Sequence, residues 1–124
     1  MLNYATVKPG EKITFKKSQE SSYSTLKREL DDSVLDVRQI GELDLWFDDE
    51  FLLKEDSPIP TVIIKNSRTA NLTDYDIILC GNVVFASHDE EGNTVSLTKE
   101  ALEIMNEFKP ALLGSNVVYV YENY

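Results

Sequence analysis

The chain has little of several things, and each shortage removes a class of function. It holds one cysteine, Cys80, so no intrachain disulfide forms and no cysteine-based metal cluster is assembled. Cys80 lies in "DIILCGNVVF", where a thiol acts as a small buried apolar group. It holds one histidine, His88, which excludes an H-E-x-x-H pair and leaves any imidazole chemistry to a single ring. No serine stands in a G-x-S-x-G elbow. The glycines Gly10, Gly41, Gly81, Gly92 and Gly114 are too scattered to cradle a phosphate. No apolar run approaches the ~18 residues of a membrane helix. The opening "MLNYATVKPGEK" lacks the charged start and apolar stretch of a signal peptide, so a cytoplasmic protein is expected. Basic residues are also scarce. Twelve Lys and Arg face 22 Asp and Glu, a formal charge of −10 with a pI near 4.4. Direct binding to nucleic acid needs a basic face that releases counterions from phosphates, so this balance argues against it and favours a protein partner with a basic surface.

What is present is ordinary for one folded domain. The chain of 124 residues is 42% hydrophobic and 27% charged, enough for a core of its own, and no linker or repeat divides it, so residues 1–124 are expected to form a single α+β domain. "LNYATVKPGEKITFKK" predicts two strands around a Lys8-Pro9-Gly10-Glu11 turn, with Pro9 presetting φ and Gly10 accepting positive φ. Ser21 or Ser22 caps a helix that carries Tyr23, Leu26 and Leu30 at helical spacing. Strands broken near Gly41 follow through Trp46 and Phe47, with a turn at residues 48–50 and a return through residues 51–53. "TVIIKN" reads as a strand and residues 67–76 as a surface loop. Ile77 to Ala86 is apolar enough for one central strand, with Gly81 marking a bulge or a close approach. "DEEGN" turns the chain, "TVSL" pairs back, and Thr98 caps a helix with Ala101, Leu102, Ile104, Met105 and Phe108 on its apolar positions. Leu97 and Leu102 are spaced for a hydrophobic staple. Pro110 and Gly114 end that helix, and "NVVYVYENY" supplies a last strand with Val117, Tyr119 and Tyr121 on one face. One mostly antiparallel sheet with two packed helices is the expected architecture.

Candidate chemistry is sparse. His88 is flanked by Asp89, Glu90 and Glu91, but adjacent turn residues point in different directions, so the ring reads as a solvated loop-end histidine without a catalytic role. The acidic groups Asp31-Asp32, Asp48-Asp49-Glu50, Glu55-Asp56, Asp74 with Asp76, and Asp89-Glu90-Glu91 lack the ligand order and central glycine of a calcium loop. No catalytic residue, metal site or cofactor is assigned. The residues expected to meet a partner are Asp48, Asp49, Glu50, Asp89, Glu90 and Glu91, with aromatic residues such as Trp46 and Tyr119 as anchors. The alternative is a small-molecule or divalent-ion binding domain around His88.

Val7, Pro9 and Gly10, then Asp76, Ile77, Gly81, Val83 and Val84, then Asp89 to Gly92 and Ser96 to Thr98 carry a resemblance. Over about residues 4–108 the chain resembles a family of short phage and mobile-element proteins of Gram-positive bacteria, a domain of unknown function. "DDSVLDV" and "DDEFLL" depart from it where members often carry glycines. The resemblance implies an accessory protein acting in the host cytoplasm, and small acidic proteins of such elements often look like inhibitors of host defence. Mimicry of DNA itself is limited by charge, because at one charge per ~1.7 Å of duplex ten charges match only about 17 Å.

Overall fold

In the computed structural model, residues 1–31, 35–48, 59–65 and 77–122 are described. They form β1 (Leu2–Val7), β2 (Thr14–Ser18), α1 (Ser22–Glu29), β3 (Leu35–Ile40), β4 (Leu43–Asp48), β5 (Pro60–Ile64), β6 (Ile77–Cys80), β7 (Val83–His88), β8 (Thr94–Val95), α2 (Lys99–Met105), β9 (Lys109–Leu113) and β10 (Asn116–Tyr121). The α+β class is as expected, but the strands divide between two sheets. The first runs β2-β1-β7-β4-β3, with β8 paired to the end of β7, and the second runs β6-β5-β10-β9. All pairings are antiparallel except β5 with β10.

The division falls at Gly81. The run from Ile77 to Ala86 is two strands, because Gly81 at φ 75° turns the chain from β6 in the second sheet to β7 in the first. β7 is apolar because it is covered, whereas β6 is apolar although Ile78 is 48% exposed, so the two read as one continuous run, which hid the break. A second correction concerns Pro110: α2 ends at Met105, and Lys109–Leu113 form an edge strand opposite β10, with Gly114 at φ 66° in the turn between them. Proline is tolerated there because an edge strand has no neighbour on one side to receive its missing N–H.

Local chemistry sets the remaining boundaries. The Lys8-Pro9-Gly10-Glu11 turn closes with Glu11 N–H donating to Lys8 O at 3.0 Å, and Gly10 takes φ 76°. Ser21 is the cap of α1, its Oγ accepting from Ser24 N at 3.1 Å, and Thr98 caps α2 by accepting from Ala101 N at 3.2 Å. Leu97 packs against the core while Leu102 stays exposed.

The main core lies between the sheets. Leu43, Leu45, Phe47, Val83 and Phe85 of the first meet Val62, Ile64, Leu79 and Tyr121 of the second, with Ala101 and Met105 of α2 closing one side. Phe108 stands edge-on to Phe85 at 5.9 Å and tilted against Tyr121 at 5.0 Å. Cys80 is buried as expected. A smaller cluster of Leu2, Tyr4, Leu26, Leu30 and Val84 seats α1 on the opposite face of the first sheet.

Candidate functional site

Strand register decides which acidic residues meet. Antiparallel pairing sets Leu43 opposite Ser87 and Phe47 opposite Val83, so the Gly41-Glu42 turn stands beside the exit of β7. Thr98 N donates to Ser87 Oγ at 3.1 Å, which brings the start of α2 to the same end. Glu42, His88, the Asp89-Glu90-Glu91 turn and Glu100 therefore gather at one end of the first sheet. Asp48 closes β4 at the other end, about 16 Å away along the strand, paired with Leu35. Asp49 and Glu50 lie outside the described residues.

His88 is not a solvated loop-end residue. It ends β7, its side chain is 29% exposed, and its Nδ1 lies 2.8 Å from Oδ1 of Asp44, which is 2% exposed. Asp89, beside it in sequence, serves its own turn instead. The Asp89 carboxylate accepts from Glu91 N and Asn93 N, and these bonds, that of Asn93 foremost, hold it below the usual Asp value. Asp44 was missed as a site residue, although an acid between Leu43 and Leu45 in "LDLWF" shares a strand face with Trp46, and that parity was readable.

Glu42 and Glu100 were missed as well. Their carboxyls hydrogen-bond each other: the bond from Glu100, helped by Thr98 and the nearby His88, holds Glu42 below the usual range, and the same contact holds Glu100 above it. The turn is pressed against α2. A Cβ on Gly41, whose φ is 56°, would stand 3.1 Å from Ile104 Cδ1 and 3.7 Å from Glu100 Oε1. Among the described residues, no group of three or more His, Cys, Asp or Glu has the arrangement to hold a metal ion, and no hydroxyl or thiol is bonded to His88. The pair orients an imidazole without presenting a nucleophile to it.

A second feature occupies the α1 face of the same sheet. Between α1 and the strands runs a groove of about 350 Å³. Ser22, Tyr23, Leu26 and Lys27 form its helical wall, with Leu35 and Trp46 on the sheet side and Thr94 of β8 beyond them. The indole Nε1 of Trp46 is buried without a hydrogen-bond partner among the described residues. Thr94 pairs directly with His88, and Asp44 precedes Trp46 by two residues on one face of β4, so the groove and the Asp44–His88 pair adjoin.

The family model described as a domain of unknown function, DUF3846, matches residues 2–109. The chain belongs to this family. No curated protein and no solved structure matches it. The DUF3846 match spans β1 to α2 and so takes in the acidic end, the Asp44–His88 pair and the groove, whereas β10, which lies between β5 and β9, falls beyond it. No helix among the described residues is long and apolar enough to cross a membrane.

Proposed function

We propose that the chain is a non-enzymatic protein-binding module that offers the acidic end of its first sheet to a partner with a basic surface. The observation that carries this reading is the convergence of Glu42, Glu100 and the Asp89-Glu90-Glu91 turn on that end, set by the β4–β7 register and the Thr98–Ser87 hydrogen bond. Like charges held together in the free protein favour an approaching Lys or Arg, because an incoming cation relieves their repulsion. The acids are exposed, so the attraction acts mainly on encounter rate and specificity. On the resemblance to phage and mobile-element proteins, the partner is a host nucleic-acid-handling or defence protein that this module inhibits, in the cytoplasm.

The test is capture from a Gram-positive host with tagged wild-type protein and with a variant carrying Glu42→Lys, Glu90→Lys, Glu91→Lys and Glu100→Lys. A protein held by wild type at low salt, shed at high salt and not retained by the variant supports the reading, since exposed charges are screened beyond ~10 Å at 0.1 M salt. Equal retention by both proteins refutes it.

A further inference from the structure

The two sheets do not end together on the β2 side. In the first sheet, Phe15 of β2 pairs with Ala5 and Ala5 with Phe85, and both of these lie in the main core, so Phe15 belongs to the inner face. In the second, Pro110 pairs with Tyr119 and Leu112 with Val117, and Tyr119 packs on the same core, so Pro110 and Leu112 belong to the inner face of β9. Ile13, which leads into β2, donates its N–H to the Tyr119 hydroxyl at 3.2 Å, and this sets the β2 edge across from β10. β9 therefore overhangs the first sheet by one strand. Inner-face residues are left open as a result: Phe15 is 61% exposed and Leu112 75%, and all of β9 is exposed.

One more strand beside β2 would square the sandwich. Among the described residues nothing pairs with the outer edge of β2, where alternate residues turn their N–H and C=O away from β1. An extended segment laid along that edge stands opposite β9, at the roughly 10 Å spacing of packed sheets, and covers Phe15 and Leu112. The side chains select its charge. Over residues 1–19, Lys8, Lys12, Lys16 and Lys17 outnumber a single acid, Glu11, in a chain whose formal charge is −10, and Lys109 opens β9. Lys16 is held by Glu29 at 3.3 Å, but Lys12 and Lys17 are exposed and make no ion pair among the described residues. A second copy offering its own β2 sets lysine against lysine, a common device against edge-to-edge pairing. A nucleic-acid strand suits the lysines, but its phosphates carry no donors for the carbonyls of the edge.

We propose that the open edge of β2, opposite β9, is a docking site for an extended acidic segment of a partner protein. The segment adds to the first sheet as a further strand and sets apolar side chains inward against Phe15 and Leu112. Its carboxylates meet the lysines that flank the edge, Lys12 at one end of β2 and Lys17 at the other. Alternating apolar and acidic residues are the pattern this site reads, because successive side chains of a strand point to opposite faces. The site uses β2 and β9 and not the acidic end, so it does not depend on the reading proposed for that end.

The probe is a seven-residue peptide alternating glutamate and valine, capped at both ends and titrated into the ¹⁵N-labelled protein. The expected result is saturable binding that moves the amide signals of β2 and β9 and weakens as salt rises. In a Lys12→Glu, Lys17→Glu variant the affinity is expected to fall roughly tenfold, and in Phe15→Ala severalfold. All three side chains are exposed, so both variants are expected to melt with the wild type. A peptide alternating glutamate and proline keeps the charge, loses strand pairing and is expected not to bind. The proposal is overturned by no saturable binding of the glutamate-valine peptide, by equal binding of the proline peptide, or by an affinity unchanged in the lysine variant. It is also overturned if oligothymidylate binds the same amides more tightly, which assigns the edge to nucleic acid, or if those signals move with protein concentration alone, which assigns it to a second copy.

Discussion

On the face of the first sheet turned toward the second, Leu43, Leu45, Val83 and Phe85 are each fully buried and wholly apolar. On the face turned toward α1, the same strands present Asp44, Trp46, Val84 and His88, which bring a buried carboxylate, an unpartnered indole and a partly exposed imidazole. One set of backbones thus supports a close-packed interior on one side and a loosely filled, polar surface on the other. Packing alone accounts for the first face. The second keeps features that cost stability, and proteins retain such features where they act.

The largest expected effect breaks the inner face. Phe85→Ala removes a fully buried ring that contacts Phe108 edge-on, and is expected to cost about 3–5 kcal/mol in denaturant unfolding. On the α1 face, Leu26→Ala should cost less, about 2–3 kcal/mol, because its cluster is small and borders a groove into which neighbours can relax. Equal costs at the two sites would show that the faces are packed alike.

Polar substitutions sharpen the contrast. His88→Ala leaves the Asp44 carboxylate buried without its imidazole and is expected to cost about 1–2 kcal/mol, water taking part of the vacated space. Asp44→Asn, which keeps a hydrogen-bonding group, should cost less. Trp46→Phe is expected to change stability by only about 1 kcal/mol or less, since lost packing is offset by removal of an unsatisfied donor. Thermal melts of the three variants rank them directly.

Features set by short-range chemistry were legible in the sequence. Pro9 and Gly10 specify their turn, and Ser21 and Thr98 specify their caps, because the groups that satisfy one another lie within four residues. The split into two sheets was not legible. Both β6 and β7 are apolar, and Gly81 serves equally as a bulge or as a crossing between sheets. The strand containing Pro110 was hidden because it is exposed along its whole length and shows no alternation. At the candidate site, the Asp89-Glu90-Glu91 turn was visible as a local cluster. The pairing of His88 with Asp44 spans 44 residues and follows only from the β4–β7 register. Long-range strand pairing leaves little local trace, so the residues nearest in sequence to His88 were weighed in place of the one nearest in space.

The smallest effect lies at the acidic end, and its sign depends on pH. The folded state holds the Glu100 carboxyl above its ordinary value of 4.5 through its bond with Glu42, so the folded protein keeps this proton longer than the unfolded chain does. The contribution of Glu100 is therefore complete below 4.5 and is lost as pH rises through its raised value. Glu42, held below 4.5 by the same contact, contributes in the opposite sense: its share is present above 4.5 and is lost as pH falls through its folded value. Glu100→Gln keeps an amide donor toward Glu42 and removes the like charge. Its melting temperature is expected to lie slightly above that of wild type at pH 7, with the difference shrinking as pH falls through the raised value of Glu100, below which that carboxyl is protonated in the wild type and no longer repels Glu42. A difference that stayed constant across this range would locate the effect in helix packing, leaving no repulsion at this end for a basic partner to relieve.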